Sequence, residues 1–481
     1  MKLKTGKIAF PIEFDNGAHY WKERCTCPHC RRKFFEDTGW TMPMNEADVA
    51  WTDADSPFRK CWHAWRIRTG TDFLIEVKRR LKAIRPDLVI SEYQTEDGVM
   101  GPWDAIHVGR SYMDLGRVVD FFGMEVMSRT VLKNFRVELP NRRVQNMVAI
   151  AYGAPIWDWY YSANWQNDYA AWALGEMSAQ SSLLSQVDIP PDAPDYLHFR
   201  AGGRAMQRVG ATTVAEVALF YSSPSLIFGK STRFAVELSG VAQALEALHV
   251  PYDVIADPSL DAETLGKYKV LVLGTAECLS DAQVDVVREY VSRGGRVRLS
   301  RGGGSRDERG RLRERNPLED LVAGGKIAYS PVATAEPFAM SKLVVGRPCA
   351  YAADPAAERR FRSEVWQWAK EASWWRIAAP EGVYTAVWRE RDGNLAIHFF
   401  NATGVKNVPG DVVTADAPSP AFPRLESDVS FVVQEGSRAW AVSPEFDGER
   451  ELHVEKVDGN GLKVVVSGDL LRGYLLVRVG R

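Results

Sequence analysis

The chain has 481 residues, a length that suggests about three domains, and its 46% hydrophobic and 25% charged residues are those of a folded globular protein. Sixty Lys and Arg oppose 62 Asp and Glu, for a formal net charge of −2. This balance supplies no long-range attraction for nucleic acid or an anionic membrane, and no apolar run is long enough to span a bilayer.

The N-terminus is basic but has neither a long apolar core nor a small-residue cleavage site, so no signal peptide is read and a cytoplasmic location is expected. Residues 7–14 form a short apolar run ending at Asp15-Asn16-Gly17. Three of the six cysteines then crowd into Cys25-Thr-Cys27-Pro-His-Cys30. Without a secretion signal, such a cluster reads as a metal site or as reduced thiols before it reads as disulfides. Zinc favours thiolate and imidazole ligands, and this spacing can wrap three of them around one ion. Cys61, His63 or His29 would supply the fourth ligand of such a structural zinc.

Residues 57–84 predict a long amphipathic helix, with Pro57 at its start, Pro86 beyond its end, and Phe58, Trp62, Trp65, Phe73, Val77, Leu81 and Ile84 as the buried stripe. Three strands are expected next. They are 88–91 ending at Glu92, 118–124 ending at Glu125, and 147–152 (MVAIAY) leading to Trp157-Asp158-Trp159. A helix at about 166–180 follows. This alternation argues for a parallel sheet or barrel. Ten of the 16 tryptophans fall before residue 175. Large aromatic faces fill cores and also stack on sugar rings.

A second rhythm runs from 215 to 330. Strands at 217–221, 252–255, 270–274 and 296–300 alternate with helices at 233–248 and 281–293, and Gly294-Gly295 stops the second helix. The loop Arg301-Gly-Gly-Gly-Ser-Arg306 has neither phosphate-loop lysine spacing nor a dinucleotide fingerprint and reads as a flexible surface loop. Cys278 follows a strand without a nucleophile elbow and reads as a buried thiol. After a helix near 356–371, short alternating runs punctuated by glycines predict an all-β sandwich.

The segment from Val217 to Gly324, above all PYDVIADPSL and LGKYKVLVLGTAECLSDAQVDVVREYVSRGGRVRLS, resembles the trimerization domain of family 42 β-galactosidases and of related hypothetical glycosyl hydrolases. Those proteins place the module after a catalytic (β/α)8 barrel and before a small β-sandwich, and the order here is similar. The resemblance implies an α/β multi-domain chain. Residues 1–210 would be a partial TIM-barrel glycosidase-like domain, 211–330 a flavodoxin-like, trimerization-like α/β domain, and 331–481 a helix plus C-terminal β-sandwich. It also sets Ile12-Glu-Phe-Asp15 and the CxCxxC run beside the fourth barrel strand and its loop. Family 42 enzymes carry Asn-Glu there, and this chain has Asp15-Asn16-Gly17. The relatives hold zinc with a similar cysteine run.

Glycoside hydrolysis uses two carboxyl groups, a general acid and a nucleophile or base. In a barrel these lie at strand ends. Asp15 is expected as nucleophile or base and Glu125 as acid. Asn16, His19, Tyr20, Glu92, Trp157 and Trp159 are expected to bind the sugar. No organic cofactor is expected. The partners implied are a carbohydrate substrate and, by the resemblance, further copies of the chain in a trimer. Two function classes follow: a β-galactosidase-like O-glycosyl hydrolase, or a non-catalytic carbohydrate-binding or assembly protein derived from one.

Overall fold

The fold was analysed in a computed structural model that describes residues 11–14, 25–53, 55–95, 111–116, 118–126, 135–153, 156–160, 165–178, 210–229, 231–331, 355–403, 422–457 and 461–480. Four sheets organise these residues, two parallel and two antiparallel.

The first sheet is parallel, in the order β1 (Pro11–Phe14), β2 (Val89–Thr95), β3 (Phe121–Val126), β4 (Ile156–Tyr160). Of the helices between β1 and β2, the long one spans Pro57–Ile84, the bounds the sequence predicts. Ser56 caps it by accepting from the Arg59 amide at 3.4 Å, and Pro57 occupies a first-turn position where its missing N–H costs nothing. Its stripe is buried in the first half alone. Phe58, Trp62 and Trp65 join Phe34 and Trp51 in an aromatic cluster of edge-to-face contacts and one stacked pair, Trp62 on Trp65, whereas Phe73 and Ile84 are 62% and 82% exposed.

MVAIAY is not a strand. Residues 147–151 are the last turns of a helix, Phe135–Ala151, and the strand of this unit is β4. Val144, Met147 and Val148 are fully buried at helical spacing, and the helix packs on another at Ser231–Ala247. A short apolar run has no period that separates a buried helix from a buried strand.

The second sheet is also parallel. It contains β6 (Val217–Tyr221), β7 (Tyr252–Ala256), β8 (Val270–Gly274), β9 (Arg296–Ser300) and β10 (Ile327–Ser330), in the order β10-β9-β8-β6-β7. From the far edge this reads 2-1-3-4-5, the doubly wound order of flavodoxin-type sheets. The Asp281–Ser292 helix starts with a capping box between Ser280 and Gln283. It stops at Gly294, whose φ of +92° suits glycine.

The two antiparallel sheets face each other across one core. One has the order β11 (Arg376–Ala378), β14 (Val429–Val433), β18 (Gly461–Val466), β17 (His453–Val457). The other runs β16 (Phe446–Glu451), β15 (Arg438–Ser443), β19 (Tyr474–Gly480), β13 (Leu395–Asn401), β12 (Val383–Arg389), β5 (Thr212–Thr213). Every residue of β13 and β19 is buried because both faces are covered. Ile397 and Phe399 point into the core between the sheets. Ala396 and Phe400, on the opposite face, join the core shared with the parallel units. β5 pairs with Trp388 and Arg389, so the chain joins the antiparallel sheet before it enters the second parallel one. Among the described residues, no helix is long and apolar enough to cross a membrane.

Candidate functional site

Of the carboxylates expected at barrel strand tips, Glu92 and Glu125 fall on the first sheet. Asp15, Asn16, His19 and Tyr20 lie outside the described residues. Phe14, the last residue of β1, pairs with Glu92. Glu92 is not at a strand end as expected, because β2 continues to Thr95. Glu125 is the penultimate residue of β3 and stands between Thr95 and Trp159 in register. Trp157 pairs with Gly123, and Asp158 with Met124.

Residues opposite one another in a parallel sheet share a face, and faces alternate along each strand. Positions 125, 157 and 159 therefore lie on one face. Positions 14, 92 and 158 lie on the other. The register brings Glu125 together with the two tryptophan positions and separates it from Glu92.

The cysteine cluster lies at the start of the Pro28–Thr38 helix. The ligand sulfurs of Cys25, Cys27 and Cys30 all lie within 4.8 Å of one another. Cys27 is the N-cap, and its Sγ accepts from the Cys30 amide at 3.4 Å. That amide, with the neighbouring thiols, lowers the Cys27 thiol to about 7. Burial, with the same thiols, pushes Cys30 up to about 12. One readily formed thiolate beside two further sulfurs suits a cation. Tetrahedral zinc–sulfur bonds of about 2.3 Å place ligand sulfurs about 3.8 Å apart, within this spread. Among the described residues, none of Cys61, His29 and His63 joins the group. Cys61 packs on the aromatic cluster, and burial raises its thiol. His63 is buried and accepts from Arg59 Nε at 3.4 Å.

Where the parallel units meet, Asp257 follows β7 and accepts from the Tyr152 hydroxyl and the Ser223 amide, each at 2.9 Å. Burial pushes its carboxyl up to about 6. Cys278 is fully buried, and desolvation raises its thiol to about 12, which removes it as a nucleophile.

The loop after β9 is pinned, not flexible as its glycines suggest. The Arg306 amide donates to Glu277 O at 2.9 Å, the Leu279 amide donates to Arg306 O at 3.1 Å, and Gly303 and Gly304 are buried. A Cβ on Gly303 would lie 2.9 Å from the backbone carbonyl oxygen of Gly274 as well as 2.4 Å from Leu299 Cδ1, so close packing favours glycine. The pinned loop borders a groove with Trp40, Lys60 and Arg68, none of which the sequence marks. No local signal ties these residues to a loop so distant in the chain.

No family model matches this chain, and no curated protein matches it. Solved structures do. The chain is similar to α-L-fucosidase isoenzyme 2 from Paenibacillus thiaminolyticus, with a TM-score of 0.60 and 13% identity over 96% of this chain and 76% of that one. It is similar to a catalytic mutant of a GH42 β-galactosidase from G. stearothermophilus, with a TM-score of 0.56 and 11% identity over 95% and 77%. A polyextremophilic β-galactosidase from the Antarctic haloarchaeon Halorubrum lacusprofundi has a TM-score of 0.50 and 13% identity over 95% and 77%. At such identities the likeness is one of fold, and the proteins that share the fold are glycoside hydrolases.

Proposed function

We propose that this chain is an O-glycosyl hydrolase of the β-galactosidase type, working with paired carboxylates. The observation that carries the reading is the register of Glu125 beside Trp159, on the sheet face that also holds Trp157. An acid next to two indole positions is what a sugar site requires, since indoles offer apolar faces to pyranose C–H groups. The fold shared with glycoside hydrolases supports it.

In this reading Glu125, held protonated, donates its proton to the glycosidic oxygen as the bond to the anomeric carbon breaks. Asp15, ionised, attacks that carbon or activates a water. Trp157 and Trp159 wall the ring, while Asn16, His19 and Tyr20 bind hydroxyls. Glu92 falls on the opposite face of the sheet and is a ligand only for a substrate that reaches around the strand tips. Cys25, Cys27 and Cys30 would hold a structural zinc, which when bound crosslinks the loop after β1. Residues 1–210 act as the partial barrel, 211–330 as a trimerization module and 331–481 as a helix and β-sandwich.

A panel of aryl glycosides tests the reading. Asp15→Asn is expected to abolish turnover with the fold intact, and Glu125→Gln to lower it by about 10²–10⁴-fold. Unchanged turnover in either variant removes that residue from the mechanism. The second reading is a non-catalytic carbohydrate-binding or assembly protein. It is favoured by the first sheet, which has four parallel strands among the described residues where a closed barrel has eight. Sugar binding without turnover by the parent chain would select it. Light scattering tests the trimer, and a monomer at micromolar concentration refutes it.

A further inference from the structure

A groove of about 930 Å³ separates the N-terminal helices from the loop after β9. Trp40, Lys60 and Arg68 border it on one side, and Arg306, Arg309 and Leu312 on the other. Lys60 and Arg306 form its floor. Lys60 Nζ donates to Gly310 O at 2.8 Å and pairs with Asp55 at 3.0 Å. Arg306 pairs with Asp55 at 3.0 Å and with Glu277 at 3.2 Å. These two cations are committed to holding the helix against the loop.

The rim cations are not so committed. Arg68 is 56% exposed and meets Asp37 at 3.5 Å. Arg309 is 75% exposed and, among the described residues, its one ion pair is with the adjacent Glu308, at 3.8 Å. Both arginines draw the thiol of Cys61 downward against its burial, so both border the same stretch of wall. Trp40 touches Phe58 edge to face and remains 43% exposed. The lining also holds Arg311, which pairs with Asp307 at 2.5 Å, so the cations left at the rim for a ligand are Arg68 and Arg309, beside the carboxylates Asp37 and Asp55.

We propose that this groove binds an acidic saccharide, a sugar chain bearing carboxylate or sulfate groups. An exposed indole offers its face to a pyranose ring. Guanidinium forks pair with carboxylate or sulfate through two parallel hydrogen bonds, and the exposed arginines have donors to spare. Asp37 and Asp55 accept from sugar hydroxyls. The near-neutral chain does nothing to gather a continuous polyphosphate, which sets nucleic acid aside. The groove is built by the Pro28–Thr38 and Pro57–Ile84 helices and the loop after β9, not by β1–β4. Its occupancy is independent of whether glycosides are cleaved at the first sheet.

Calorimetric titration of the full chain tests this, with a galacturonate trisaccharide, a sulfated galactotriose, neutral galactotriose and an oligothymidylate as probes. At least one acidic trisaccharide is expected to bind, with neutral galactotriose at least about tenfold weaker. The two acidic probes distinguish carboxylate from sulfate. Arg68→Ala and Arg309→Ala are each expected to weaken acidic binding about tenfold. Trp40→Ala is expected to weaken it too, and binding should fall between about 0.05 M and about 0.5 M salt. Arg309→Lys keeps the charge without the fork, so it should lose affinity while keeping the salt dependence. Arg309 is exposed on a loop, and unchanged urea unfolding of its variants confirms that the fold survives. The proposal is overturned if neither acidic probe binds, if galactotriose binds equally well, if the variants bind like the parent, or if oligothymidylate binds as tightly as the acidic sugars. Turnover of neutral aryl glycosides is expected to be unchanged in Arg309→Ala, which separates this site from the proposed hydrolytic one.

Discussion

Arg143 and Glu246 form an ion pair whose side chains are 3% and 1% exposed, and it joins the first sheet's helical layer to the second. The same guanidinium donates to Thr385 O on β12 at 3.2 Å, and Tyr252 donates its hydroxyl to Glu246 at 3.0 Å. One cation thus ties three sheets together. Burial alone drives the Glu246 carboxyl upward, and Arg143 pulls it back. Arg143→Ala leaves a buried carboxylate uncompensated and is expected to cost about 3–5 kcal/mol in urea unfolding. Arg143→Met combined with Glu246→Leu should recover most of that loss, because the pair is itself costly to desolvate. A double variant as unstable as Arg143→Ala would contradict this.

Asp257 makes the contact between the parallel units pH-dependent. Its carboxyl titrates at about 6 in the fold, above the unfolded value of about 3.9. The folded state therefore holds the proton more tightly, and the stabilisation present below pH 4 is lost as pH rises through about 6. The shift corresponds to about 3 kcal/mol. Thermal unfolding followed from pH 4 to pH 7 should show this decline, and Asp257→Asn should flatten it. A parent profile that rises across that window would be inconsistent with the burial of Asp257.

The three thiols near the start of the Pro28–Thr38 helix should act as one chelating unit. Protein purified with zinc present is expected to carry about one zinc per chain. Removing it with a chelator should expose all three cysteines to alkylation. Cys27 should react first at neutral pH and Cys30 last, as their opposed shifts dictate. Equal alkylation rates with and without zinc would argue for reduced thiols that bind no metal.

Gly116 faces the carbonyl of Tyr152 so closely that an added Cβ would lie 2.2 Å from its oxygen. That oxygen belongs to the backbone, so it cannot swing aside. Gly116→Ala is expected to destabilise by about 1–3 kcal/mol. Because Tyr152 also donates to Asp257, the variant should move the pH profile as well. Unchanged unfolding would mean that the turn after Ser111 relaxes freely.

Much of the architecture was legible where one local signal dominated. VALFY and VLVLG are wholly buried parallel strands, and such strands read as unbroken apolar runs. The Pro57–Ile84 helix was legible from its proline boundaries and its 3.6 period. MVAIAY reads as a strand and folds as a helix end, because its apolar residues have no polar partners to set a period. The loop after β9 reads as flexible and is pinned, because glycine signals flexibility and close packing alike, and Glu277, which anchors it through Arg306, is remote from the motif.

The amino-acid order alone settled the wholly apolar strands of the second sheet, the bounds of the Pro57–Ile84 helix, and that three thiols would crowd together. Those are properties of neighbours within a few residues. Tertiary structure decided that position 125 shares a sheet face with positions 157 and 159 and position 92 does not, since a single step along a strand changes the face and register is set by pairing with distant segments. It also decided that Arg68 and Arg309 would share a groove, because only the packing of a helix on a loop brings together charges that the chain keeps far apart.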